Sequence, residues 1–274
     1  MGALSLPVPE GDTSAPVKHS TTPRQHQLAS VGGIAVAIAI WIVLAFVVDN
    51  PTMLPQPWKV ALRLWRDFHS PLFWNAAGAT ALESIVGALL GLGFALPLAF
   101  CIYKSPLLDA AFGPLVSFTQ AIPSVALAPL LVIWIGYGLL PISILCALIV
   151  FFPILTTSTL GLKSLPKEVI EAARLDGATG WNLLRNIEAP MSLPSFLTGL
   201  RTGFTLSIIG AVVGEFVMGG HGLGERLALQ STAADMTGLF ATVTVLCVWA
   251  ALVAYAITLV ERHSHTMNAL IDER

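Results

Sequence analysis

The chain has 274 residues, of which 55% are hydrophobic and only 11% charged, against roughly a quarter charged in an ordinary soluble domain. Water is therefore not its main solvent, and a net charge of -2 leaves no basic surface broad enough to attract nucleic acid. Charge-free runs cover 31–48, 84–103, 110–162 and 236–260, each at least as long as the roughly 18 residues that mark a bilayer span, so the chain reads as an all-α, multi-pass integral membrane protein.

In chain order, residues 1–30 are rich in Ser, Thr and Pro and read as a disordered tail. The run 31–48 is too long for the apolar core of a signal peptide, and no Ala-x-Ala stands directly before Asp49 at its end, so it is taken as the first span. Between 49 and 75, Trp58, Ala61, Leu62, Trp65 and Phe68 fall on one helical face that Lys59, Arg63, Arg66 and Asp67 avoid, the pattern of an amphipathic helix lying on the outer membrane surface. The second span is placed at 80–103. The run 110–162, as one helix, would be ~80 Å long against a ~30 Å hydrocarbon core. It must turn back, and Gly136-Tyr137-Gly138-Leu139-Leu140-Pro141 is the natural reversal, since glycine permits positive φ and proline suits a first helical turn.

That gives spans at 110–135 and 141–162, and further spans at 195–218 and 236–260: six in a membrane domain of 31–262, followed by a short tail at 263–274. With the N-terminus in the cytoplasm, ten of the 14 Lys and Arg lie inside, which favours both termini inside. Cys101, Cys146 and Cys247 all sit in apolar runs and read as small hydrophobes, with no disulfide and no metal site expected. None of the six histidines falls within a span, which argues against a histidine proton relay.

The spans contain Pro97, Pro114, Pro123, Pro129 and Pro153, and broken helices suit a transporter that moves, although single prolines are also tolerated in membrane helices. In the fifth span Gly199, Gly203 and Ser207 stand four apart, and Gly210 and Gly214 repeat the spacing, a stripe that lets another helix approach closely. Polar residues that could face a translocation path are few: Gln120, Ser124, Thr205 and Ser207, with Glu215 either in the path or anchored at the interface. Glu83, at the start of the second span, reads first as an interfacial carboxylate. Gly219-Gly220-His221-Gly222-Leu223-Gly224 lacks Gly-x-Gly-x-x-Gly order and reads as an outer-surface turn rather than a phosphate cradle.

The one long polar insertion, 163–194, is where function is expected. Residues 165–177 read as a short helix with Pro in its first turn, carboxylates near its positive end and Gly177 to stop it. A second helix, 179–188, is expected to end at Pro190, and the two form a compact knob made to dock.

Within this insertion Glu171-Ala172-Ala173, then Gly177, then Ile187 and Pro190 resemble the signature of the inner-membrane permease subunits of binding-protein-dependent ABC importers: Glu-Ala-Ala, three residues, Gly, nine residues, Ile-x-Leu-Pro. Ala189 stands where the family has Leu. The resemblance extends over about 54–261, taking in Leu54-Pro55-Gln56-Pro57, Ala121-Ile122-Pro123-Ser124, Gly199-Leu200-Arg201 and Gly222-Leu223-Gly224, and looks like the nitrate, sulfonate, taurine and pyrimidine-precursor branch. Glu83 matches the Glu that pyrimidine-precursor permeases often show, where relatives handling nitrate or sulfonate often show Arg.

The resemblance implies a six-span permease fold in the bacterial inner membrane. Glu171, Ala172, Ala173, Gly177, Ile187 and Pro190 would form the coupling site for a separate ABC ATPase, which would bind ATP and magnesium. A second permease copy, forming a homodimer, would complete the path, and an extracytoplasmic binding protein would deliver a small polar solute, either a sulfonate- or nitrate-like anion or a pyrimidine-type precursor. The chain itself has no Gly-x-x-x-x-Gly-Lys-Ser/Thr loop and is expected to have no catalytic residues, cofactor or metal. The alternatives are a secondary carrier or channel, which would rely on midmembrane ionisable groups or an inverted repeat, and a membrane enzyme, for which Gly-x-Ser-x-Gly and His-Glu-x-x-His are lacking.

Overall fold

The computed structural model describes residues 23–48, 50, 52–120 and 123–272. Every regular element among them is helical: α1 Pro23–Val48, α2 Pro57–Phe68, α3 Pro71–Lys104, α4 Pro106–Gln120, a 3₁₀ turn Ser124–Leu127, α5 Ala128–Ile135, α6 Leu139–Lys163, α7 Lys167–Leu175, α8 Gly180–Leu183, a π-turn Leu184–Glu188, α9 Ala189–Met218, α10 Leu223–Thr232 and α11 Met236–Asp272. Four helical stretches among the described residues are long and apolar enough to cross a bilayer: Pro71–Lys104, Leu139–Lys163, Gly180–Met218 and Met236–Leu259. Most of the expected tail, residues 1–22, lies outside the described residues, and α1 begins at Pro23, ahead of the apolar run. At the other end α11 continues to Asp272, through the expected tail.

The segment expected as one span at 110–135 is divided into α4, the 3₁₀ turn and α5. Prolines explain the division. Pro123 and Pro129 lack the backbone donor a continuous helix needs and restrict the residue before them, and Pro129 sits in the first turn of α5, where its missing N–H costs nothing. The reversal expected at 136–141 is present: Gly136 (φ 95°) closes α5 by donating to Val132 O at 2.8 Å, and Gly138 (φ 118°) precedes α6.

The core is a three-helix stack in which α6 packs along both α3 and α9, which also touch each other. Lipid tails are as apolar as leucine, so burial of greasy surface does not by itself bring membrane helices together; close packing and buried hydrogen bonds do. Both are present. Gly87 and Gly91 of α3 lie where an added Cβ would press on Ser143 O, Cys146, Ala147 O and Val150 of α6. From the other side, Gly199 faces Thr157, Gly203 faces Val150 and Ile154, Gly210 faces Ile149 and Cys146, and Gly214 faces Ile142 and Leu145. The whole glycine stripe of the fifth span is therefore spent on α6 of the same chain.

Polar side chains pin these crossings. Ser207 Oγ donates to Ser84 O at 2.6 Å, Ser143 Oγ to Glu83 O at 3.4 Å, and Cys146 Sγ to Ser207 O at 3.4 Å. All three cysteines are unbridged.

Helix α2 turns four large apolar side chains outward and draws Arg63 and Asp67 toward the protein, while Lys59 and Arg66 stay exposed and Val60 is buried. Trp58, Leu62, Trp65 and Phe68 are exposed, while Asp67 is buried and bridges Arg63 (3.4 Å) and Arg226 (3.1 Å); Arg63 also reaches Asp235 at 3.0 Å. This is the arrangement of an amphipathic helix with lipid on its outer face. Trp41 Nε1 donates to Pro55 O at 3.1 Å and so ties α1 to the segment entering α2.

Candidate functional site

The insertion between α6 and α9 folds as a knob. Ile170, Ala173 and Leu183 are buried together, with Leu165, Ala178 and Ile187 packed around them. Helix α7 stops in a Schellman motif: Ala178 N donates to Ala173 O at 2.9 Å and Gly177 N to Arg174 O at 3.1 Å, with Gly177 at φ 87°. That pair of bonds satisfies the orphan carbonyls of the last turn and requires a left-handed residue, which glycine supplies without strain. No side chain crowds Gly177, so the requirement for glycine here is conformational.

The signature residues thus divide by role. Ala173, Gly177 and Ile187 build the knob from within, whereas Glu171 and Ala172 lie on its exposed face. Beside them the knob exposes large apolar side chains that the sequence did not single out, Leu175 at 90% and Trp181 at 73%.

The expected end of the second helix at Pro190 is not what forms. The helix begun at Gly180 runs through the π-turn into α9 and on to Met218, so the membrane helix starts inside the knob rather than at 195. Proline in a helix clashes with the carbonyl four residues back. Here Ala189 N bonds to Leu184 O, five residues back, and this widened turn just ahead of Pro190 makes room for the ring.

At the junction stands Glu188, fully buried. Lys104 Nζ, from the last residue of α3, donates to both its carboxylate oxygens at 2.7 and 2.8 Å, and Tyr103 OH donates at 3.1 Å. Sequence reasoning passed over these residues. The signal was available: a carboxylate set between Ile187 and Ala189-Pro190 needs an opposite partner once buried, and a cation closing a long apolar helix can supply it.

The opposite end of the stack holds a second polar cluster. Glu83 is 5% and Glu215 0% exposed, and their carboxyl groups lie within hydrogen-bonding reach of each other. Neither is an interfacial anchor, because the Gly222-Leu223-Gly224 turn folds over them. Gly224 N donates to Glu215 Oε2 at 2.5 Å and Leu223 N to Thr80 Oγ1 at 2.8 Å. The turn expected on the surface is consequently buried from Gly222 to Gly224, with only His221 of that stretch exposed. Glycine is needed there because a Cβ on Gly222 would meet the Glu215 carboxylate, and one on Gly224 would meet Val212 O.

Of the candidate path residues, Ser207 is fully buried with its hydroxyl committed to Ser84 O, which makes it part of the α3–α9 crossing. Thr205 is half-buried and donates to Arg201 O of its own helix at 2.9 Å. Gln120 ends α4 and Ser124 opens the 3₁₀ turn; their side chains lie outside the described part of the structure. The described residues bring none of these four together.

Residues 87–264 match the family model for the binding-protein-dependent transport system inner membrane component. The chain belongs to this family. The permease is 42% identical over 207 residues to the riboflavin transport system permease protein RibX of Chloroflexus aurantiacus, covering 76% of this chain and 75% of RibX. It is 34% identical to the formylaminopyrimidine transport permease protein ThiX of Halalkalibacterium halodurans, over 76% of this chain and 83% of ThiX, and 28% identical to the taurine transport system permease protein TauC of Escherichia coli, over 71% and 73%.

Among solved structures, the inward-facing MetNI methionine ABC transporter superposes with a TM-score of 0.64 at 19% identity, covering 71% of the permease and 98% of that chain, a likeness of fold. Family members are transport permeases of the inner membrane rather than enzymes, so the multi-pass reading and the ABC permease assignment both stand.

Proposed function

We propose that this permease is the membrane subunit of an ATP-driven importer, and that α7 with the turn at Gly177 is the coupling helix seated on a separate ATPase. The observation that carries this reading is the knob itself: the signature residues Ala173, Gly177 and Ile187 lock it into one shape, while Glu171, Ala172, Leu175 and Trp181 are presented outward. A rigid projection can transmit displacement, which a flexible linker cannot.

On this reading the knob is cytoplasmic, both termini are inside, and α1 and the broken α4–α5 segment bring the four long spans to six. Two copies enclose the path, and an extracytoplasmic binding protein delivers the solute. ATP and magnesium are held by the partner ATPase. The family carries this partner set, and the relatives bear on the cargo. Greater identity to the riboflavin and formylaminopyrimidine permeases than to the taurine permease favours a nitrogen heterocycle over a sulfonate. Path-lining is assigned to Thr205, Gln120 and Ser124, the last two flanking a proline-bearing stretch of the sequence.

The test is reconstitution. The permease, co-expressed with its candidate ATPase and binding protein, should co-purify with the ATPase, and ATP turnover in proteoliposomes should rise when loaded binding protein is added. Turnover indifferent to binding protein, or uptake that persists without ATP on an ion gradient, would favour a secondary carrier instead. Competition for the binding protein by riboflavin, a pyrimidine and taurine tests the cargo.

A further inference from the structure

Helix α3 packs on α6 and α9 along its length, and at its knob end a charged tie is added. Between α3 and the knob lies an apolar cavity of about 640 Å³, with Leu96, Pro97 and Phe100 of α3 on one side and Trp181, Leu184 and Arg185 on the other. Side chains separated by such a gap make few of the close contacts through which packed helices move together. Beside the gap, the Lys104 ammonium joins both oxygens of Glu188, and Tyr103 OH adds a third bond. The ammonium is itself held in place, 4.7 Å from the Tyr103 ring centroid and 5.5 Å from that of Phe100. Glu188 is the last residue of the π-turn and the residue before α9. Any rotation of the knob about α9 must therefore displace the Glu188 carboxylate first.

We infer that the Lys104–Glu188 ion pair passes movement of the knob to α3, which makes Lys104 and Glu188 positioning residues for transport. The inference rests on the coupling reading of the knob and deepens it: α9 moves because it is continuous with the knob, and α3 moves because the ion pair draws it along. A bidentate, charge-assisted pair whose carboxylate is fully buried suits this task because it resists both stretching and slippage. Its contribution to stability is secondary, since buried ion pairs often roughly break even against apolar replacements. Stability and coupling can therefore be separated by experiment.

The test uses the full complex in proteoliposomes and reads solute taken up per ATP hydrolysed, alongside ATPase co-purification. Lys104→Met, paired with Glu188→Gln so that no buried carboxylate is left without a counter-ion, should leave the complex assembled and hydrolysing ATP, with uptake per ATP reduced at least about fivefold. The exchange variant carrying both Lys104→Glu and Glu188→Lys should recover the ratio to within about twofold. Should that double variant fail to insert, Glu188→Gln alone keeps the volume and one accepting oxygen and serves in its place, with the same direction of change. An unaltered ratio in an assembled variant would overturn the proposal, as would uptake and hydrolysis falling in proportion to lost assembly, the mark of a simple staple. If the wild-type chain fails to co-purify with the ATPase, the coupling reading has failed and this proposal falls with it; failure of the proposal alone is a coupled wild type whose ratio the variants do not move.

Discussion

Glu215 Oε2 accepts the backbone N–H of Gly224 at 2.5 Å, which folds the turn after α9 back over the buried end of that helix. The contact depends on bare backbone: a Cβ at Gly224 would press on Val212 O and on Glu215. Backbone cannot yield as a flexible side chain can, so Gly224→Ala is expected to destabilise the permease by about 1–3 kcal/mol. Thermal unfolding in detergent, followed by tryptophan fluorescence, checks this, and an unchanged midpoint would refute it.

Two oxygens of the same cluster, Glu83 Oε2 and Glu215 Oε1, have no hydrogen-bond partner. Glu215→Gln retains an oxygen for Gly224 and brings an amide donor toward Glu83, so stability should change by less than about 1 kcal/mol or rise. Glu215→Leu removes the acceptor and leaves the buried Gly224 N–H unpaired, at a cost of about 1–3 kcal/mol. Unfolding midpoints of the two variants should therefore differ clearly. Equal losses would show that the carboxylate charge, rather than its hydrogen bonds, is what the site needs.

Composition and the lengths of apolar runs were enough to read a helical membrane protein, and the spacing from Glu171 to Pro190 was enough to locate the knob. What escaped the sequence were relationships set by packing. Pro190 looked like a stop because the usual helix cannot hold it, yet a π-turn shifts the bond of Ala189 to Leu184 and carries the helix past. Ser207 looked like a path residue because a hydroxyl in a span is conspicuous. Its partner, Ser84 O, lies 123 positions away in the chain, and no local pattern encodes that pairing. Glu83 looked interfacial and Glu215 was open between path and interface for a similar reason: the turn that covers Glu215 is recruited from beyond the end of α9.

Gly177 sits at φ 87° in open space, so a substitution there strains the backbone without any clash. Gly177→Ala is expected to destabilise the Schellman turn by about 1–2 kcal/mol, loosening the knob while leaving the spans intact. Membrane insertion and the unfolding midpoint should be nearly unchanged, whereas ATPase co-purification and uptake should fall, and Gly177→Val should lower them further. A variant that inserts, binds the ATPase and transports at the wild-type rate would contradict the coupling role.

The glycine stripe makes a prediction about assembly. Gly203 meets Val150 and Ile154 of α6, each at 3.0 Å from a built Cβ, so the stripe is occupied within one chain and the surface between copies lies elsewhere. Gly203→Leu should overpack α6 and α9 at a cost of about 1–3 kcal/mol or more, lowering the yield of folded chain before any effect on pairing appears. Size-exclusion chromatography with light scattering separates the two. A well-folded Gly203→Leu monomer, from a wild type that is dimeric under the same conditions, would return the stripe to the interface.

Orientation is testable through two exposed serines at opposite ends of the stack. Ser164 follows α6 at the knob, and Ser231 lies in α10 beyond the far end of α9. Both are exposed, so neither position should resist labelling through burial in the chain. The native cysteines are first replaced by serine at 101 and 247 and by alanine at 146, where the wild-type thiol is buried. With the knob in the cytoplasm, Ser231→Cys should react with an impermeant maleimide in cells whose outer barrier has been opened, and Ser164→Cys only after the inner membrane is permeabilised. The reverse pattern would place the knob outside, where no ATP is available to a partner ATPase, and would overturn the importer mechanism together with the orientation.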